Sequence, residues 1–456
     1  MVRLRHFTGM AVGRLRWIAG AKTGSAAVVQ TILTRILLLG INMLNGVYTA
    51  RHFGPGGRGT QTALGMWPNL LCFVFTLGLP YALRYHARKH QAEQDSLASA
   101  ALVLSLVLGL VAMIAGLVMM PFIMKQYGPT NIHLAQTLMV FVPLGMVSLI
   151  LTSLLEVRFD FTFSNFTRYA PPFITFAALV SLNSTHMLTP FYATLAYLIP
   201  PVFTSVAMAV YLFGKFAFTL VDFKRSVRRL TGFGIRIYGS DVLGTFGQQI
   251  DQFLVVGLLA AADLGVYTIA LQASRVLNIF QTSLGTVLLP KIAGLPTHQI
   301  VAMVTRVARL TTALTALSGV ALIVVMPFLL PGLYGHDFHK AVAISQILVV
   351  ESVLASAAAV LIQTFTATNR PGMATILQLV GLSFAVPLML VLIPRLGLAG
   401  AALSLLASTS ARLALAVACY PLLLKVRAPG LIVNGADLRY LFDALRGRRE
   451  VAEAVD

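Results

Sequence analysis

The chain alternates long apolar stretches with short interruptions rich in glycine, proline or charge. "LASAALVLSLVLGLVAMIAGLVMMPFIM" (97–124) exceeds the roughly 20 apolar residues that a helix needs to span hydrocarbon. The strict apolar–polar alternation of an outer-membrane β-strand is missing. The interruptions predict twelve helices: 26–50, 60–83, 96–124, 133–155, 168–182, 190–213, 233–259, 265–289, 307–331, 341–366, 373–394 and 398–424. The fifth, "YAPPFITFAALVSL", is short and proline-rich, and the prolines at 143, 171, 172, 200 and 201 predict kinks. The expected fold class is all-α integral membrane. It comprises a basic amphipathic arm (1–25), a six-helix lobe (26–213), a basic cytoplasmic linker (214–232), a second six-helix lobe (233–424) and a cytoplasmic tail (425–456).

Composition agrees: 57% of residues are hydrophobic and 11% charged, against about 25% charged in a soluble domain. A net charge of +19 in a soluble chain would suggest nucleic acid. Its distribution argues otherwise. With the N-terminus inside, cytoplasmic segments, interfacial helix ends included, hold 25 of the 34 Lys and Arg, outer loops five and spans four. That asymmetry predicts both termini in the cytoplasm and no nucleic-acid partner. The arm "RLRHFTGMAVGRLRWIAG" lacks the apolar core of a signal peptide and reads as an interfacial helix on anionic membrane lipid. The tail "DLRYLFDALRGRREVAEAVD" reads as a second amphipathic helix. Cys72 and Cys419 both fall in apolar runs, so neither a disulfide framework nor a metal cluster is expected.

The halves are weakly alike. Aligning "ARHFGPGGRG" (50–59) with "VGLLAAADLG" (256–265), an offset of 206, puts Arg35 on Asp241, Asn42 on Gln248 and Asn45 on Asp251; further on, Pro80 matches Pro290 and Asp160 matches Arg370 with the offset relaxed to 210. Six helices per unit keep both copies in one orientation. A pseudo-twofold axis along the membrane normal follows, with substrate between the lobes. Away from the interfacial helix ends, seven charged residues lie within the predicted spans: Arg35, Arg236, Asp241, Asp251, Arg275, Glu351 and Arg412. Each costs roughly 2.5–3.5 kcal/mol at a helix centre, so such groups face a bundle interior or a wet cavity. Positions 35, 42 and 45 share one helix face, as do 241, 248 and 251. Asp251 and Arg275 lie at similar depth on consecutive helices. They are either a structural ion pair or part of a cavity, and Glu351 and Arg412 form a second possible pair. Four arginines against three acids favour an anionic ligand.

Other motifs fail. "GPGGRGT" (54–60) lacks the lysine of a phosphate loop and reads as a tight outer turn. "GHDFHK" (335–340) lacks further ligands for a metal. No loop is long enough for a catalytic domain, so an enzyme is not expected.

"ADLGVYTIALQASRVLNIFQTSLGTVLLPKIAGL" (262–295), with its Gly-x-Tyr opening and Pro-Lys end, resembles the helix-eight signature of polysaccharide flippases. "DQFLVVGLL", "LYGHDFHKAVAISQIL" (333–348) and "NRPGMATILQLVGLSFAVPLMLVLIPRLGLAGAALSLLAS" (369–408) fit the same family. These are the lipid-linked O-antigen and exopolysaccharide flippases of the multidrug/oligosaccharidyl-lipid/polysaccharide (MOP) exporter superfamily. "ARHFGPGGRGTQTALGMWPNLL" departs from the pattern by lacking a tyrosine after Gly59. The resemblance implies a two-lobed, MATE-like transporter that flips an undecaprenyl-diphosphate-linked oligosaccharide by alternating access in a bacterial inner membrane. It implies Arg35 and Arg275 as diphosphate ligands. Asn42, Asn45, Gln248 and Gln249 are then expected to bind sugar. Asp241, Asp251 and Glu351 are expected to couple transport to H⁺ or Na⁺, with no cofactor, or to pair with arginines such as Arg412. A polysaccharide polymerase and chain-length machinery are the expected protein partners. A drug or small-cation exporter of the same superfamily is the main alternative, and a membrane glycosyltransferase or polymerase a more distant one.

Overall fold

A computed structural model describes residues 24–158, 160–219, 221–279, 288, 292, 295–368, 370–435 and 437. The predicted arm helix, nearly all of the tail helix and part of the helix-eight signature lie outside these residues, as do the side chains of Arg35, Asp241 and Gln248. All regular structure among the described residues is helical.

Helix α1 (Gly24–Phe75) is two arms that meet at a kink at one residue, Gly54, whose φ of 66° is open to glycine. Pro55 follows at once and starts the second arm, because a fixed φ suits the first turn of a helix. The expected turn over 54–60 is therefore confined to Gly54, and Arg58 and Gly59 are helical. Then come α2 (Leu79–Lys89), α3 (Gln94–Ile123), α4 (Gly128–Leu138), α5 (Phe141–Val157), α6 (Phe161–Ser184) and α7 (Pro190–Phe213). The second half holds α8 (Phe223–Leu258), α9 (Ala261–Arg275), α10 (Thr297–Tyr334), α11 (Lys340–Ala367), α12 (Pro371–Leu396) and α13 (Leu398–Cys419). Helix α6, expected to be short, starts at Phe161 because the Asp160 carboxylate accepts a 3.2 Å bond from the Phe163 N–H. It runs through Pro171 and Pro172 to Ser184.

Among the described residues seven helices are long and apolar enough to cross a membrane, or eight if the pair 37–75 and 79–89, bent by 44°, is one span. Leucine, valine and phenylalanine remain exposed along α3, α7 and α10, for example Phe122, Phe213 and Phe328. In water such a surface would aggregate; in lipid it is the required exterior. The chain is a multi-pass membrane protein.

The cores show how the lobes meet. One apolar cluster contains Trp67, Leu138, Val255, Tyr267, Leu330 and Met389, and so unites both halves at the Gly54 end. At the other end, where the Lys- and Arg-rich turns lie, two clusters stay separate. One holds Leu83, Leu154 and Leu230, the other Val304, Phe365 and Tyr420. Among the described residues the lobes share one apolar core at one end and keep separate cores at the other, where α8 alone packs across. Helix α8 crosses between them: its start packs on α2 and α3, its end on α12 and α9.

The joined end has a point of backbone contact. A β-carbon on Gly59 would overlap the Ala261 carbonyl and stand 2.9 Å from the Gly265 nitrogen. A β-carbon on Gly265 would overlap the Pro55 carbonyl and stand 3.0 Å from the Gly59 nitrogen. Residues 55 and 59 plus the offset of 206 are 261 and 265. The contact is therefore reciprocal, as a twofold interface demands, and it supports the internal repeat.

A strap, residues 425–435 with Asp437, closes the basic end of the second lobe. Asp437 is buried and accepts two bonds from Arg309, at 2.7 and 2.9 Å, with Arg306 at 3.8 Å. Burial alone would raise its carboxyl pKa. Bonds from Arg309 and the Asn434 backbone, with the charges of Arg309 and Arg306, prevail and hold it below the usual carboxylate range. A depressed carboxyl contributes stability above its unfolded value of about 3.9, lost as pH falls through the folded value. The strap is expected to stay latched at neutral pH. Asp437→Asn should lower hydrogen-exchange protection over 425–437, relative to the intrinsic rate, at pH 7, and the wild type should lose that protection only in strong acid. Separately, a β-carbon on Gly109 would lie 2.6 Å from the Pro143 Cα, so α3 and α5 pack without clearance. Gly109→Val is expected to destabilise by about 1–3 kcal/mol, read as a lower unfolding temperature in detergent.

Candidate functional site

A cavity of about 370 Å³ lies between the second arm of α1, α5, α7 and α8. Arg58, Gln61, Asn69, Ser148, Tyr197, Gln249 and Gln252 supply its polar atoms, and Phe141, Leu144 and Leu198 its apolar wall. The contribution of α1 follows helical spacing: 58, 61, 62, 65, 69 and 72 descend one face. Because α8 belongs to the second half, the cavity touches both lobes.

Arg58 dominates it. The residue is 6% exposed. Its Nη1 donates to Thr49 Oγ1 at 3.0 Å and Gln61 Oε1 at 2.7 Å. Its Nε is buried and makes no hydrogen bond. Among the described residues no carboxylate lies within ion-pair distance of it, and none lines the cavity. A buried charge held by neutral acceptors alone is costly, and in a membrane protein it marks a ligand path. Sequence reading placed Arg58 in an outer turn because "GPGGRG" looks like loop throughout. The usable signal was the run of polar and small residues at helical spacing after it.

A second polar cluster lies inside the C-terminal lobe. Asp251 is 1% exposed and accepts a 2.8 Å bond from the Tyr267 hydroxyl, while its Oδ1 has no partner. Arg275 Nη2 stands 4.0 Å away, on a side chain that is 39% exposed. The two expected partners do meet, but at the edge of ion-pair range, and the exposed arginine adds little. The tyrosine makes the closer contact. Glu351 accepts from Thr409 Oγ1 at 2.7 Å. It lies within electrostatic range of Arg412, Arg275 and Asp251, yet Arg412 is not within 4 Å of it, so no close Glu351–Arg412 pair exists. Arg412 packs beside Gly381 and its Nε is unpartnered.

The remaining expected residues divide. Gln249 lines the cavity. Asn45 is fully buried and donates to the Pro172 carbonyl at 3.0 Å, which ties α1 to the proline pair of α6. Asn42 is exposed and returns its amide to the Leu38 carbonyl of its own helix. The side chains of Arg35, Asp241 and Gln248 lie outside the described residues. The structure thus joins Asp251, Arg275, Glu351 and Arg412 in one neighbourhood and sets Gln249 apart with Arg58.

Residues 63–343, more than half of the chain, match the family described as polysaccharide biosynthesis protein. The chain belongs to this family. No curated protein matches it. Among solved structures it is similar to lipid II flippase MurJ in an inward closed conformation, with 15% identity, a TM-score of 0.72 and coverage of 91% of this chain and 90% of that one. It is also similar to a multidrug resistance MATE transporter of the MOP superfamily. The inward-facing form gives 14% identity, TM-score 0.66 and coverage of 84% and 96%. The outward-facing form gives 16%, 0.58, and 86% and 94%. The fold is shared with these flippase and MATE transporter structures, as the resemblance in sequence implied.

The buried carboxylate of Asp251 yields a direct test. Tyr267→Phe removes its closest donor and is expected to cost about 1–3 kcal/mol. Thermal unfolding in detergent measures it; an unchanged midpoint would show that the Tyr267–Asp251 bond contributes nothing to stability.

Proposed function

We propose that this protein flips an undecaprenyl-diphosphate-linked oligosaccharide across a bacterial inner membrane, from the cytoplasmic to the outer leaflet, for polysaccharide biosynthesis. The observation that carries the reading is Arg58, a buried guanidinium without a carboxylate, opening on a cavity between the lobes. A diphosphate matches the planar fork of an arginine in charge and geometry. Gln61, Asn69, Gln249 and Gln252 offer the donors and acceptors that sugar hydroxyls need. The polyprenyl chain stays in lipid while the lobes part to admit a glycan larger than the closed cavity. Arg35 and Arg275 would supply further positive charge along the path.

In this reading the cluster of Asp251, Glu351 and Tyr267, or else Asp241, binds the coupling H⁺ or Na⁺. Its support is a buried carboxylate oxygen without a partner. The basic end faces the cytoplasm, both termini with it, and twelve spans result. A polymerase and chain-length machinery would receive the product. The similarity to multidrug exporters supports the alternative of a cationic drug as cargo, but a cavity whose one charged side chain among the described residues is an arginine would repel it.

The test is flipping of a fluorescent undecaprenyl-diphosphate oligosaccharide in proteoliposomes. Arg58→Ala should slow it by about ten-fold or more, the loss of one charge-assisted contact, and Arg58→Lys should keep part of the rate. Undiminished flipping by Arg58→Ala would exclude this site for the headgroup.

A further inference from the structure

We infer that the outer end of this protein is sealed by a self-complementary gate, in which Arg51 and Gln126 are equivalent latches that each capture the free end of a helix in the opposite lobe. The inference rests on the transporter reading above, and on contacts distinct from the cavity.

Arg51 closes the first arm of α1. Its Nε donates to the Leu333 carbonyl at 2.6 Å and its Nη2 to the Gly332 carbonyl. Gln126 follows α3, and its Nε2 donates to the Gly257 carbonyl at 2.7 Å. Both bonds run from the first half of the chain to the second. They are also the same contact made twice. Residue 51 plus 206 is 257; beyond α3 the offset is 207, set by Tyr127–Gly128 on Tyr334–Gly335 with both glycines at positive φ, so 126 falls on Leu333, which Arg51 grips. Position 51 meets the equivalent of 126, and 126 meets the equivalent of 51. The glycine contact obeys the same rule, with 59 against 261 and 265 against 55. Two independent sets of atoms therefore share one pseudo-twofold axis.

The acceptors explain why these bonds seal. Gly332 and Leu333 lie in the last turn of α10, and Gly257 in the last turn of α8. Carbonyls of a last turn have no partner within their own helix. Within α10 the Gly335 N–H takes the Pro331 carbonyl and leaves the next two for Arg51. A cation also suits the negative end of a helix dipole. When the lobes part, these carbonyls must find water, so opening costs the bonds and releases both latches together. The backbone contact of Gly59 and Gly265 lies between the latches in the fold of α1 and α9 and tolerates no side chain. Arg58 is the neighbouring residue, so the gate and the proposed anion site move on one helix.

The full chain tests this in cells, with no substrate and no transport measurement. Failure of the gate is thus separate from failure of the lipid-linked cargo. In a background with Cys72 and Cys419 replaced by alanine, Thr62→Cys reports access to the cavity through labelling by a membrane-impermeant thiol reagent added outside. Labelling should be slow in the parent. It should rise about ten-fold with Arg51→Ala and about five-fold with Gln126→Ala, by the usual worth of charged and neutral hydrogen bonds. Gly59→Leu and Gly265→Leu should each expose the same site. The pairs Arg51→Cys with Gly332→Cys, and Gln126→Cys with Gly257→Cys, should each react with a short bis-thiosulfonate, and either cross-link should abolish residual labelling. The pairs also serve where a single variant does not reach the membrane. Parental labelling in both latch variants, or a cross-link at one pair that leaves labelling unchanged, would overturn the gate as one unit.

Discussion

The two lobes touch backbone to backbone at Gly59 and Gly265, and the rest of the molecule is arranged around that contact. No side chain intervenes, so helices α1 and α9 approach as closely as their main chains permit. Small residues allow such approaches where hydrophobic driving force between helices is weak. One shared core grows around the contact, from Trp67 and Leu138 to Tyr267 and Leu330. Away from it the lobes diverge into separate cores. A body with a shared core at one end and separate cores at the other has an axis about which to rock. The backbone contact also fixes the height of Arg58, which would lie at the surface if "GPGGRG" were the loop it resembles.

The charges sort by what compensates them. At the basic end Arg84 meets Glu156 at 2.5 Å, Arg229 meets Glu93, and Arg309 grips Asp437. These pairs tie α2 to α5, α8 to the turn before α3, and the strap to α10, each within one lobe or its crossing helix. Inside the bundle compensation is incomplete. Arg58 has neutral acceptors only, and Asp251 has a tyrosine and a distant arginine. Incomplete pairing in a low-dielectric interior leaves free energy for a ligand to recover. Arg58 and Asp251 sit in different lobes, so in the proposed reading an anion at one and a cation at the other would each bias the lobe that it binds.

Much of the fold was legible in the sequence because lipid imposes a single rule, that backbone bonds be satisfied within helices. The apolar runs therefore fall on helices wherever the residues are described. The offset of 206 was visible in a few polar positions and reappears as reciprocal contacts. Boundaries were read less well. Asp160 capped α6 seven residues before its expected start, and Gly54 made alone a kink that glycine composition had spread over seven residues. The site was legible where depth sufficed: Asp251 and Arg275 meet because consecutive helices put them at one height. It was not legible where rotation or tertiary contact decided. Asn42 and Asn45 share a face by periodicity, yet one is exposed and the other is bound to Pro172. Thr409, not Arg412, reached Glu351, a choice made by the packing of α11 on α13.

The central claim is that Arg58 binds the phosphate of a lipid-linked cargo. Native mass spectrometry of the protein released from its own membrane, beside Arg58→Gln, tests it most directly. The account predicts that the wild type carries a polyprenyl-diphosphate lipid and that the variant loses it while keeping its ordinary phospholipids. Equal retention of the diphosphate lipid by both proteins would contradict the account.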